Sequence, residues 1–338
     1  MGYEPWLLVD NKDTNKEGKL HTQYRIIDFT TYIEQPFPIT AYMEIAMSCD
    51  PSIRAYFKQK GAKITKTYLG NILNIDIETV AFYRGVNFAH HVTGQTDEIF
   101  VSPHYDIHEE YAGSINGIFG HTRIAPYVWD PVFVQNVTRY KDEGFHPDSP
   151  RNFLIMEPNI SFQKMALLPI LAVEAYFRKY PERVKTVLVV NGDKLRENPY
   201  FMESIAPNLT ILQKGILQLM PRANIVNIAK IFQNAIVLQH QVNNSYNYST
   251  LEWLYLGFPL IHNIESFKTY GYYYEGNDFL AATEQISFLV HNHNANLYAT
   301  QAKQLFWQFS IHNPNNLKTW EKLVFPDTEP RSAPSNVP

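Results

Sequence analysis

Arg139-Tyr-Lys-Asp-Glu-Gly-Phe-His-Pro-Asp-Ser-Pro-Arg151, followed at once by Asn152-Phe-Leu-Ile-Met156, is the stretch that decides the fold. Its first part is polar and carries one glycine and two prolines, which is linker chemistry. Its second part is a short apolar run of strand length. A chain that completes one series of elements, crosses a linker and begins again on a buried strand has two units.

The series after the linker alternates strongly. Strands are expected at 152–156, 184–190, 216–220, 235–238 and 259–261. Helices are expected at 162–180, 223–232, 249–256, 279–291 and 295–310, with Gly257 stopping the third. Before the linker, strands are expected at 6–10, 39–46, 63–69, 98–102 and 123–127. Asp50-Pro51 opens a helix there, with Asp50 as N-cap and Pro51 at the first helical position, and Gly61 ends it. Strand–helix alternation in both halves predicts an α/β fold of two Rossmann-like domains, each a parallel sheet wrapped by helices, facing a cleft. The expected division is 1–140 for the first unit and 151–310 for the second. A C-terminal helix at 311–325 and a disordered Pro/Ser-rich tail at 326–338 follow.

Composition narrows the function. Of 338 residues, 45% are hydrophobic and 18% charged, enough for a sizeable core. The net charge of −4 offers no basic field for a phosphate backbone, which argues against nucleic acid as a partner. The single cysteine, Cys49, excludes an intrachain disulfide and a cysteine-based zinc site. No apolar run has the length of a membrane span, and the start has no signal-peptide pattern, so the expected location is cytoplasmic. The 22 tyrosines suit core packing or a polar-tipped binding cleft.

The three-glycine dinucleotide fingerprint and the Gly-Lys-Ser/Thr phosphate loop are both absent. Asp76-Ile77-Glu78 resembles a metal-binding Asp-x-Asp, but two acids alternating along a strand edge explain it as well. His90-His91 and His291-Asn-His293 are the close histidine pairs, and such pairs are more often solvated than ligating, so neither a metal nor a cofactor is assigned.

Three stretches carry the candidate chemistry. Met156-Glu-Pro-Asn-Ile-Ser161-Phe-Gln-Lys164 joins the first strand of the second unit to its long helix. Ser161 or Asn159 can cap that helix, whose start is an anion site, and Lys164 adds a full positive charge. His240 to Asn263 contains a polar loop, a short helix holding Glu252, and Gly257 before the next strand. Asn244, Tyr246, Asn247, Tyr248, Ser249 and Thr250 offer neutral donors and acceptors for sugar hydroxyls and a diphosphate, and Glu252 can accept from a ribose diol. Ser102-Pro-His104-Tyr-Asp106-Ile-His108 follows a strand of the first unit, where a general base belongs, so His104 and Asp106 are the catalytic candidates.

With these residues in view, the chain resembles GT-B glycosyltransferases. In the large family related to glycogen synthases and sucrose-type transferases, two glutamates are separated by seven intervening residues and a Gly-x-Pro turn follows. Glu252 matches the second glutamate and Gly257-Phe258-Pro259 the turn, while Asn244 stands at the first. The chain is also similar to a smaller set of glycosyltransferase-like proteins of unknown function from bacteria and large DNA viruses. The shared motifs are Ser102 to His104, Pro126 to Pro131, Glu157 to Asn159, Leu256 to Asn263 and Gly271 to Tyr274. The resemblance implies a nucleotide-diphosphate sugar donor, Lys164 on the diphosphate, and a glycan or other hydroxyl acceptor. Relatives carry a strand and helix before the segment that here is Gly2 to Asp10. The first unit is therefore expected to be rearranged, filled by another segment, or completed by a second chain in a homodimer. A non-catalytic sugar- or nucleotide-binding relative and a sugar-nucleotide epimerase are the competing expectations.

Overall fold

The protein is described here by a computed structural model covering residues 4–9, 24–83, 85, 90–104, 107–137, 139–140 and 148–325. Most of the linker and the whole 326–338 tail lie outside the described residues.

The first unit begins with β1 (Trp6–Val9) and β2 (Arg25–Asp28), a parallel pair forming its own sheet. Asp28 caps α1 (Phe29–Glu34) by accepting the Thr31 N–H at 2.9 Å. Then come β3 (Ala41–Ile45), α2 (Pro51–Gln59), β4 (Lys63–Tyr68), α3 (Ile72–Phe82), β5 (Glu98–Val101), α4 (His108–Asn116) and β6 (Thr122–Ile124). The four strands β3 to β6 pair in sequence order, all parallel. Among the described residues this unit thus holds two sheets. Leu8 and Ile27 of the small sheet share an apolar cluster with Tyr42, Phe57 and Ile64 of the larger layer. Asp50 and Pro51 start α2 as expected, with Asp50 accepting from the Ser52 N–H.

The second unit contains β7 (Arg151–Met156), α5 (Leu167–Lys179), β8 (Val184–Val190), α6 (Asp193–Arg196), α7 (Thr210–Gln213), β9 (Leu217–Met220), α8 (Ile225–Ile231), β10 (Ile236–Leu238), α9 (Tyr248–Tyr255), β11 (Leu260–His262) and β12 (Tyr272–Tyr273). Its six parallel strands run in the order β12-β11-β10-β7-β8-β9. The first three strands wind outward one way and the next three the other, so the order reverses between β7 and β10. Apolar runs such as Phe153-Leu154-Ile155 are continuous because both faces are covered. Phe153 and Ile155 pack with α5 and α10 (Phe279–Asn292), whereas Leu154 packs with α8, α9 and α11 (Ala295–Phe309).

Three expectations need correction. The helix expected from Phe162 begins at Leu167. Pro169 sets this limit: a helix reaching back to 162 would drive the proline ring into the carbonyl of Met165, whereas in the first turn no bond is lost. Asp76 and Glu78 lie on the helix α3 rather than a strand edge, and they serve different partners. Finally, the packing boundary falls before residue 140, because Tyr127, Trp129, Val134 and Val137 belong to the core of the second unit. The expected C-terminal helix is present as α12 (Pro314–Val324), and it crosses back to the first unit. Its last carbonyls, Leu323 and Val324, accept from Lys63 Nζ at 3.2 and 3.1 Å, and Trp320 packs edge-on to Phe100.

Candidate active site

The loops at the carboxyl ends of the two sheets meet. Asn71, which caps α3 after β4, donates to the carbonyl of Asn243 after β10 at 2.6 Å. Ser245 donates to the carbonyl of His104, which follows β5, at 3.1 Å. Glu78 on α3 accepts from Ser161 Oγ at 2.9 Å and from the Phe162 N–H at 2.6 Å. Tyr83 at the end of the same helix bonds the carbonyl of Ile160. The strand-order reversal of the second unit, where ligands bind in such sheets, lies beneath these contacts.

At the reversal, polar groups are wired together. Glu157, fully enclosed, accepts the His240 N–H at 3.2 Å and Gln241 Nε2 at 3.0 and 3.2 Å. Gln241 in turn accepts from Asn244 Nδ2 at 2.7 Å, and Asn263 clamps the Gln241 backbone by accepting its N–H and donating to its carbonyl, both at 2.8 Å. Burial lifts the Glu157 carboxyl well above the usual range and pulls the Lys164 amine below its own, while their mutual attraction opposes both changes. Asn159 holds the left-handed φ of 55° that lets the chain turn out of β7, and its side chain accepts the Ala166 N–H at 2.8 Å. Asn159, not Ser161, therefore ties this loop to the start of α5. Lys164 stands in the loop, half-buried, with no hydrogen bond to its ammonium among the described residues.

The second stretch is arranged around α9. Asn247 is its N-cap and accepts the Ser249 N–H at 3.3 Å. Ser249 Oγ accepts from Gln239 Nε2, and Thr250 Oγ1 donates to Gln239 Oε1, both at 2.8 Å. Thr250 thus spends its hydroxyl hydrogen on Gln239 and Asn244 bonds Gln241, whereas Ser249 only accepts and keeps its own hydroxyl hydrogen to donate. Tyr248 stacks on Tyr127 at 5.0 Å, and Tyr246 lies 4.9 Å from the same ring. Glu252 is half-buried, its carboxyl raised by burial, and no described residue donates to it. Gly257, at φ 81°, closes α9 in a Schellman turn: its N–H reaches Leu254 O and that of Phe258 reaches Trp253 O.

In the first unit, His104 is buried at 4% exposure and edge-on to Tyr246 at 5.5 Å. Nε2 must carry the proton, because its partner is the carbonyl of Leu69 at 3.0 Å. That leaves the lone pair on Nδ1, which finds no partner among the described residues. Burial chiefly, then His108 and Lys164, hold the ring's pKa down at about 4, so it is neutral at pH 7. Asp106 lies outside the described residues. His108 is a buried support, bonding the Ser102 carbonyl through Nδ1 at 2.8 Å.

Sequence reasoning passed over Glu157, Gln239, His240 and Gln241 as site residues. The signal was Glu157-Pro-Asn at the end of a buried strand, and polar Gln239-His-Gln directly after Ile236-Val-Leu, an abrupt polarity change at a strand's carboxyl end. A shallow depression of about 670 Å³ lined by Lys63, Asp97, Glu98 and His121 lies at the opposite, amino end of β4 and β5, away from these groups.

A family model described as "Protein of unknown function (DUF2827)" matches residues 4–324. The chain belongs to that family. Curated proteins give no match to this DUF2827 member. Among solved structures it is similar to the pneumococcal O-GlcNAc transferase GtfA in complex with UDP and GlcNAc, at 15% identity and a TM-score of 0.53, over 87% of this chain and 58% of that one. It is similar to a trehalose-6-phosphate synthase studied for glycosyl transfer with retention, at 10% identity and a TM-score of 0.57, over 87% and 76%. An E. coli trehalose-6-phosphate structure bound with UDP-2-fluoro glucose gives 10% identity and a TM-score of 0.58, over 89% and 76%. The DUF2827 chain has the GT-B fold. It spans 58% of the length of GtfA. Among its described residues no helix is long and apolar enough to cross a membrane, and no group of three or more His, Cys, Asp or Glu could hold a metal ion.

Proposed function

We propose that this chain is a glycosyltransferase that moves a sugar from a nucleotide-diphosphate sugar to a hydroxyl of a glycan or another acceptor. One observation carries the reading. At the strand-order reversal nearly every polar group is committed to a neighbour, and Lys164 and Glu252 stand out as charged groups without a hydrogen-bonded partner among the described residues. They have opposite signs, and they lie on the segments that follow the two strands at the reversal, Lys164 in the loop after β7 and Glu252 on α9 after β10. A cation and an uncommitted carboxylate are what a nucleoside diphosphate requires, the first for phosphate and the second for the ribose diol. The solved structures of the same fold with UDP and with UDP-2-fluoro glucose support uridine nucleotides as the first donors to test.

In this reading Lys164, the Ser161 hydroxyl and nearby N–H groups offset the negative charge that grows on the leaving diphosphate, with no metal needed. Tyr246 and Tyr248 wall the site, and Asn244, Asn247, Ser249 and Thr250 keep its loop in place. The acceptor hydroxyl lies on the first unit's side. Its oxygen bonds to the anomeric carbon as the bond from that carbon to the phosphate oxygen breaks, and the diphosphate departs with the electron pair. If the reaction inverts, His104 Nδ1 takes the acceptor's proton, with Asp106 the second candidate.

The experiment is a panel of radiolabelled UDP, GDP, ADP and dTDP sugars with glycan acceptors. Release of nucleoside diphosphate together with a labelled product supports the proposal. Change of the donor sugar without an acceptor indicates an epimerase. Tight binding without turnover indicates a non-catalytic relative, and absence of nucleotide binding refutes the site.

A further inference from the structure

Glu78 makes a contact that the glycosyl-transfer reading leaves unused. It lies in the middle of α3, is only 5% exposed, and directs its carboxylate across to the other unit. One oxygen accepts both the Ser161 hydroxyl at 2.9 Å and the Phe162 N–H at 2.6 Å. The turn it meets is a small array of donors: Ser161 Oγ also accepts the Gln163 N–H at 3.1 Å, which fixes the hydroxyl's direction, and Lys164 follows. These donors belong to the loop assigned to the donor's diphosphate. An anion of the protein therefore sits where an anion of the substrate is expected. Two carboxylate or phosphate groups cannot share one hydroxyl and one N–H, and like charges at that distance repel.

We propose that Glu78 is an internal counter-anion that holds the diphosphate seat, and that the incoming nucleotide must displace it. This rests on the donor-site reading above. Because Glu78 lies on the helix whose two ends also bond the second unit, at Asn71 to Asn243 and at Tyr83 to Ile160, displacement frees the centre of α3 from the β7–α5 loop. Nucleotide binding and the hold of α3 on that loop are thus coupled, and Glu78 sets the affinity for the phosphates rather than for the base or ribose.

The test compares wild type with Glu78→Gln, which keeps the side chain's shape and removes its charge, and with Tyr83→Phe, which removes a clasp contact of the same helix without touching charge. Calorimetry measures UDP, uridine and inorganic pyrophosphate, and thermal melting checks that each variant is folded. UDP and pyrophosphate should bind Glu78→Gln about tenfold more tightly, uridine should be unchanged, and Tyr83→Phe should behave as wild type. No gain for the two phosphate ligands, or an equal gain for uridine, overturns the inference. The same gain in Tyr83→Phe also overturns it, since loosening of the helix would then be the cause. If UDP and other nucleoside diphosphates bind no form, the donor-site reading fails, and pyrophosphate still decides: equal or absent binding to wild type and Glu78→Gln overturns the role of Glu78.

Discussion

His262 on β11 is fully enclosed, and both ring nitrogens are used. Nε2 donates to the carbonyl of Tyr270 at 2.8 Å, and Nδ1 accepts the Ile264 N–H at 3.1 Å. A second proton would have to enter at Nδ1, against a donor and without water. Burial accordingly lowers the pKa from the ordinary 6.5 to about 4, against the smaller opposing effect of the Tyr270 carbonyl. Between those values the unfolded chain binds a proton that the folded chain refuses, so stability falls as the pH drops from 6.5 towards 4 and is unaffected above that window. At ~1.4 kcal/mol per pH unit the full window is worth about 3 kcal/mol, and near pH 5 the slope from this one ring is about 1 kcal/mol per pH unit. Replacement by asparagine puts an acceptor near the Nδ1 position and removes the titration. His262→Asn should cost about 1–3 kcal/mol at pH 7.5, because the Tyr270 carbonyl loses its donor. In urea unfolding between pH 6.5 and 5, the variant should lose stability less steeply than wild type by about 1 kcal/mol per pH unit. The comparison cancels the other groups: His104 and His108 act in the same direction as His262, and Glu252, raised by burial, in the opposite one. Parallel curves for the two proteins would refute the reasoning.

Glu252→Gln should weaken nucleoside diphosphate binding by about 1–3 kcal/mol, the range for a charge-assisted hydrogen bond, and calorimetry with unchanged affinity would remove Glu252 from the site. Lys164→Ala should reduce UDP binding far more than uridine binding; equal losses for both ligands would mean that the lysine acts only through the fold. His104→Ala should lower turnover with little change in donor affinity, since the proposed donor contacts lie on the other unit. Loss of thermal stability and donor binding together would instead assign His104 to support, as its bond to Leu69 and its packing on Tyr246 would explain.

The strands and most helices of the second unit were legible because their signals are local. A run such as Phe153-Leu-Ile is a buried strand wherever it sits, and Gly257 before Pro259 ends a helix by backbone geometry alone. The loops that carry the candidate site were legible for the same reason, since polar residues directly after an apolar strand mark its carboxyl end. Helix α3 was missed because it is apolar on most of its surface and shows no stripe, and α5 was started early because Pro169 was not weighed against a helix from Phe162. What the sequence could not supply is partnership. Whether Ser161 meets a helix start or Glu78, whether Thr250 faces solvent or Gln239, and whether Glu157 is a surface acid or the enclosed centre of a network depend on contacts between segments 11 to 84 residues apart. Local propensity fixes which element a residue belongs to. The strand order and the approach of the two sheets decide which groups bond one another, and among the described residues they leave Lys164 and Glu252 without a hydrogen-bonded partner.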